Sequence, residues 1–161
     1  MTTRILVADD NLSVRQAIRF LLQVRNDWEI CAEATNGEDA VAKANQSKPD
    51  IIIMDLQMPG LDGFQAASQI LAAKPLVPII LYSVFGTSGL APGAARIGIR
   101  RVLSKSECGL RLVAAIDELL TKSHSRADNI DLTEGESRMI REEAWRAGCS
   151  LKAQSSRLLK R

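Results

Sequence analysis

Five short strand candidates, most of them apolar, punctuate the first 120 residues, and helical stripes or turn signals separate them. This alternation constrains the fold more than any other feature. Strands that alternate with helices form a parallel sheet with right-handed crossovers. The runs are Ile5–Ala8, Glu29–Ala34, Ile51–Met54, Pro78–Tyr82 and Val102–Ser104. After the first, Val14, Ala17, Ile18, Leu21 and Leu22 recur at helical spacing. Gly37–Gln46 reads as a helix with Ala40, Val41 and Ala44 inward, stopped by Pro49. Asp62 can cap a helix running to about Lys74. Leu110–Leu120 puts Leu112, Val113, Ile116, Leu119 and Leu120 on one face. Ile51–Met54 is the most apolar run, which suits a strand covered on both faces. The chain therefore reads as α/β, a doubly wound five-stranded parallel sheet.

The fourth crossover fits least well. Its sequence, V-F-G-T-S-G-L-A-P-G-A-A-R-I-G, holds Gly86, Gly89, Gly93 and Pro92. Each glycine weakens a helix by about 1 kcal/mol against alanine, and an interior proline by about 3 kcal/mol. The expectation is a loop from Gly86 to about Ala91, with a short helix beginning close to Pro92.

Composition narrows the function classes. The 21 basic and 19 acidic residues nearly cancel, so the whole chain does not read as a strongly basic nucleic-acid binder. No apolar run is long enough to span a bilayer, and no secretory leader precedes Ile5, so the expected location is the cytoplasm. Three scattered cysteines and a single histidine, His124, argue against a disulfide framework, a Cys/His metal cluster and any Ser-His or Cys-His nucleophile system.

The balance shifts after Leu120. Residues 1–120 hold 12 basic and 13 acidic groups, whereas residues 121–161 hold 9 and 6. The expected organisation is one domain over 1–121, a polar linker over 122–131 and a short helical, basic C-terminal extension over 132–161. Thr133-Glu134-Gly135-Glu136 is a capping box for a helix ending near Gly148, and Ser150 can cap a second.

Ligands of open parallel sheets bind at the carboxyl ends of the strands. Four of the five runs end there in polar residues: Asp9-Asp10, Asp55, Ser83 and Lys105. Any one has a dull explanation as a cap, a turn residue or a solvated charge; their convergence does not. Crowded carboxylates repel unless a cation joins them, and Mg²⁺ is held by one or two carboxylates plus phosphate oxygens. Lys105 supplies a fixed positive charge and Ser83 a hydroxyl donor, both suited to a phosphoryl group. Asp55, on the most buried strand, is the natural phosphoryl acceptor. A Mg²⁺-dependent phosphatase uses similar parts, although A-D-D-N-L after the first strand lacks the D-x-D pattern of haloacid-dehalogenase-like enzymes.

Several segments carry a resemblance. They are Asp9-Asp10 after I-L-V-A, P-D-I-I-I-M-D-L-Q-M-P-G-L-D-G from Pro49 to Gly63, Ser83 after I-I-L-Y, and Lys105 after V-L-S. Together they resemble the receiver domain of two-component response regulators, the CheY-like superfamily. The opening D-D-N-x-x-V-R-x-x-I-R-x-L-L is similar to the NarL-type subgroup. The resemblance implies a flavodoxin-like fold with strand order 2-1-3-4-5, the order the CheY example is known for. It also implies that Asp55 is the phosphoacceptor, that Asp10 and Asp55 ligate Mg²⁺ directly, and that Asp9 acts mainly through a water. The backbone carbonyl of Gln57 would complete the protein ligands, Lys105 would contact the acyl phosphate, and Ser83 would be the switch hydroxyl.

Three positions depart from that pattern. Val102 stands where the family often has a switch aromatic, Ser106 where it usually has proline after the lysine, and Val84 where it often has alanine.

The implied function is signalling rather than substrate turnover. A sensor histidine kinase would phosphorylate Asp55, and output would pass by contact with a second copy or a downstream protein. The rival reading is a DNA-binding transcription regulator with an abbreviated helix-turn-helix. Leu132-Thr133, Glu136 and the segment G-C-S-L-K bear a faint likeness to one.

Overall fold

The computed structural model describes residues 1–85 and 87–127. Its elements alternate strand and helix: β1 (Thr3–Ala8), α1 (Leu12–Leu22), β2 (Trp28–Ala34), α2 (Gly37–Ser47), β3 (Ile51–Met54), α3 (Gly63–Ala73), β4 (Ile79–Ser83), α4 (Thr87–Ile97), β5 (Arg101–Ser104) and α5 (Gly109–Ala127). The strands form one sheet in the order β2-β1-β3-β4-β5, every neighbouring pair parallel. This is the doubly wound flavodoxin-like arrangement expected from the sequence.

Alternation of side chains along the strands divides the core in two. Leu6 and Ala8 of β1, Ile52 and Met54 of β3 and Ile79 and Leu81 of β4 pack under α2, α3 and α4. Ile5, Val7, Ile51, Ile53, Ile80 and Tyr82 face the other way, under α1 and α5. All four residues of β3 are buried, as a strand covered on both faces requires.

Local signals account for the helix starts. The Asn11 and Asn36 side chains accept from the Ser13 and Asp39 amides at the N-termini of α1 and α2. Asp62 and Gln65 form a reciprocal capping box on α3.

The fourth crossover overturns the expectation of a loop. Residues Thr87–Ile97 form a helix with Pro92 in its interior. Leu90, Ala94 and Ile97 fall on one face, and Ala94 is buried in the core beside Ile99. Gly93, also exposed, sits beside the Phe64 ring, while Gly89 and Pro92 lie exposed on the outer side. There the carbonyl that Pro92 leaves without a partner can be hydrated. Burial of the inner face outweighs the poor helix propensity, as tertiary packing commonly does.

The polar stretch after Leu120 also begins differently from a plain linker. It holds neither glycine nor proline over 121–127, and α5 continues through Ala127. The Thr121 hydroxyl donates to the Asp117 carbonyl, and Lys122 pairs with Glu118 one turn back. The remainder of the expected linker, 128–131, and the extension over 132–161, with its capping box and its likeness to a helix-turn-helix, lie outside the described residues. Among the described residues no helix is long and apolar enough to cross a membrane.

Candidate functional site

Parallel pairing brings the carboxyl ends of β1, β3, β4 and β5 side by side, and the polar residues that follow them meet there. The Asp55 amide donates to the Ala8 carbonyl at 2.8 Å, which locks the end of β3 to the end of β1. The Lys105 amide donates to the Ser83 carbonyl at 2.8 Å and does the same for β5 and β4. Carboxylate oxygens of Asp9, Asp10 and Asp55 lie within 4.8 Å of one another. The Lys105 ammonium reaches in from β5, with Nζ 2.5 Å from Asp9 Oδ2 and 3.2 Å from Asp55 Oδ1.

Burial differs across the cluster. Asp9 is 2% exposed and Asp55 6%, Ser83 is fully buried, and Asp10 is open to solvent. Burial pushes the Asp55 carboxyl above the usual range; Lys105 opposes this and the nearby Asp9 charge adds to it. Three carboxylates against one ammonium leave the cluster net negative when ionised. All the donors are hard oxygens. A small divalent cation that prefers oxygen fits this set, and Mg²⁺ is such an ion.

Asp9 is held at every oxygen. Its Oδ1 accepts the Asn11 amide at 2.9 Å, its Oδ2 faces Lys105, and its backbone carbonyl accepts from Arg15 Nη1 at 2.8 Å. The Ser83 hydroxyl accepts the Phe85 amide at 3.2 Å, tying it to the segment that leads into α4. Tyr82, one residue earlier, is buried, and that burial raises its phenol above the ordinary value.

The turn carrying Lys105 is built by serines. Ser104 Oγ lies 2.7 Å from Ser106 Oγ and accepts the Ser106 amide at 3.2 Å, while the Glu107 amide donates to the Ser104 carbonyl at 3.0 Å. The Lys105–Ser106 peptide is trans, with Ser106 where the resemblance has proline.

The loop after Asp55 is pressed between two glycines. A methyl on Gly63 would stand 2.1 Å from the Asp55 carbonyl oxygen, and one on Gly37 would stand 2.1 Å from that of Leu61. Glu38 accepts the Leu61 amide at 3.1 Å, and Gly60 turns beneath that carboxylate with φ +74°. This fixes the segment bearing Gln57, which is itself exposed, two residues beyond Asp55.

All four strand-end positions named from the sequence therefore converge, with Asp9, Asp10, Asp55 and Lys105 in one cluster and Ser83 on the neighbouring strand. Sequence reasoning missed the supports: Arg15, Asn11, Glu38 and the serines flanking Lys105. Arg15 stands in the D-D-N-x-x-V-R segment, but its spacing reads equally as a solvated helix residue.

The chain is similar to known proteins. The response regulator receiver domain family matches residues 5–117. The chain is 33% identical over 115 residues to the chemotaxis protein CheY of Listeria monocytogenes, covering 71% of this chain and 96% of CheY. It is 35% identical over 113 residues to the uncharacterized transcriptional regulatory protein YxjL of Bacillus subtilis, covering 70% of this chain and 52% of YxjL. It thus spans about half of that relative's length. Among solved structures, a LuxR-family two-component response regulator from Aurantimonas sp. SI85-9A1 superimposes with a TM-score of 0.71 at 28% identity. That match covers 89% of this chain and 99% of the other.

Proposed function

The chain belongs to the response regulator receiver domain family, and from that premise we propose that Asp55 accepts a phosphoryl group from a sensor histidine kinase in the cytoplasm. The observation that carries this reading is the position of Lys105 between Asp9 and Asp55, at the mouth of a net-negative cluster of hard oxygens.

The chemistry follows from the parts. An ionised Asp55 oxygen attacks the phosphorus of a phosphohistidine. The P–N bond breaks as the acyl P–O bond forms, and the imidazole departs with its electron pair. Lys105 lies within reach of the oxygen that becomes the bridging or neighbouring atom, and its charge offsets that of the phosphoryl group. Asp10 and Asp55 would hold Mg²⁺ with the Gln57 carbonyl, and Asp9 would act through a water. When bound, the ion would supply charge neutralisation for the phosphoryl group. Ser83, buried beside the cluster, is the hydroxyl that would bond a phosphoryl oxygen once one is present. To do so it would loosen its hold on the Phe85 amide at the start of the α4 segment. Output would pass from there by contact with a second copy or a downstream protein. The chain turns over no substrate in this reading beyond its own phosphoryl group.

Intact-mass measurement after incubation with acetyl phosphate and Mg²⁺ tests the reading. One phosphoryl addition is expected in the wild type and none in Asp55→Asn; equal labelling of the two overturns the assignment.

A further inference from the structure

Arg15 has no part in the phosphoryl chemistry above, yet it is among the most enclosed charges in the described residues. Its side chain is only 11% exposed. From the first turns of α1 the guanidinium folds back over the β1–α1 turn. Nη1 donates to the Asp9 carbonyl at 2.8 Å, and Nε donates to Glu33 Oε2 on β2 at 3.1 Å. Glu33 is held in turn by Arg19, and Lys43 of α2 donates to the Glu33 carbonyl. The guanidinium thus bridges the edge strand of the sheet to the peptide joining Asp9 to Asp10.

That peptide sets where two of the three clustered carboxylates point. The Asp9 side chain is already fixed by Asn11 and Lys105. Asp10 is exposed, and its side chain is carried by the backbone that the 9–10 peptide orients. A rotation of the 9–10 peptide swings the Asp10 carboxylate away from Asp55, and the bond from Arg15 to the Asp9 carbonyl opposes that rotation. Glu33 matters for a second reason. It sets a negative charge against Arg15, which offsets part of the positive charge the arginine brings near a cation site.

We propose that Arg15 is a positioning residue for divalent-cation binding, acting through the Asp9 carbonyl and held by Glu33. The inference rests on the reading of the acidic cluster as a Mg²⁺ site. Groups that orient metal ligands from outside the coordination shell typically change metal affinity by about 10–100-fold when lost.

Electrostatics alone predicts the opposite sign. Deleting a cation near three carboxylates should tighten Mg²⁺ binding, whereas deleting a brace should weaken it. Calorimetric titration of the full chain with Mg²⁺ distinguishes these. Arg15→Ala is expected to weaken binding about tenfold. Arg15→Lys, which keeps one donor but not the fork, is expected to fall between that variant and the wild type. Ile18→Val, a small truncation in the core beneath the same helix, is expected to lower thermal stability and leave Mg²⁺ affinity unchanged, which separates positioning from general loosening of α1. Unchanged or tighter binding in both Arg15 variants, with the wild type binding normally, overturns the inference alone. Failure of the wild type to bind Mg²⁺ at millimolar concentration overturns the reading of the site and the inference with it.

Discussion

Replacing Gly89 with alanine should stabilise this protein. Gly89 is the third residue of α4, and a methyl group there would meet nothing within 4 Å. Its φ does not lie in the left-handed region, so alanine adopts the same backbone without strain. The gain comes from the unfolded chain, where glycine has more conformations to lose, and amounts to about 0.5–1 kcal/mol. Gly93, one turn on, adds a similar amount. A methyl there would sit 3.7 Å from the Phe64 ring, an ordinary van der Waals contact. The double variant should therefore gain about 1–2 kcal/mol, which raises Tm by on the order of 5 °C for a domain of this size. Urea unfolding followed by far-ultraviolet circular dichroism reads this as a higher midpoint with an unchanged slope. Gly37→Ala is the control of opposite sign. Its methyl would be 2.1 Å from the Leu61 carbonyl oxygen, so it should destabilise by about 1–3 kcal/mol. A neutral or destabilising Gly89→Ala refutes the reasoning. It would mean that residue 89 occupies a loop conformation closed to alanine, as the glycine and proline pattern alone suggests.

Two further outcomes follow from the site's supports. Partial burial pushes the Glu33 carboxyl up, but hydrogen bonds from Arg19 and Arg15 outweigh it and hold the group below the usual range. The pairing therefore contributes fully above the ordinary carboxylate range and is lost as pH falls through the lowered folded value. Wild type should exceed Glu33→Gln by about 1 kcal/mol at pH 7, and the gap should close in acid; a gap that widens as pH falls contradicts this. Gly63→Ala should cost about 1–3 kcal/mol by denaturant unfolding and slow labelling of Asp55 by acetyl phosphate, because its methyl collides with the Asp55 carbonyl. Wild-type stability together with wild-type labelling would count against the close approach.

The site was legible because its chemistry sits where strand periodicity ends. Each apolar run predicts a buried strand, and the first polar residue beyond it must emerge at the sheet's edge. Asp9, Asp55, Ser83 and Lys105 could be aligned from that rule without any distance. Their supports obey no such rule. Arg15 reaches Asp9 across only six residues, but the same spacing describes a solvated arginine on the outer face of a helix. Its enclosure depends on Glu33, 18 residues away on a different strand. Gly63 and Gly37 look like ordinary helix-start glycines until the loop from Asp55 is folded against them. Contacts between elements decide these cases, and periodicity within one element does not carry them.

The fourth crossover shows the same limit from the other side. Gly89, Pro92 and Gly93 each disfavour an isolated helix, and by propensity alone the segment is a loop. In the structure the same eleven residues also present Leu90, Ala94 and Ile97 at helical spacing, next to Val102 and Ile99. Burying Ala94 and part of Leu90 and Ile97, at about 25 cal/mol per Å² of apolar area, opposes the cost of two glycines and a proline, and the carbonyl that the proline leaves unpaired is on the solvent side. The helix that results is held from beneath and weak along its own axis. It begins four residues after Ser83, and the Phe85 amide already rests on the Ser83 hydroxyl. With Val102 in place of a ring on β5, no large side chain is available there to rotate. A change in the hydrogen bonding of Ser83 would instead act on the backbone entering an element whose order depends on its packing, and α4 is where amide exchange should first respond when Asp55 is occupied.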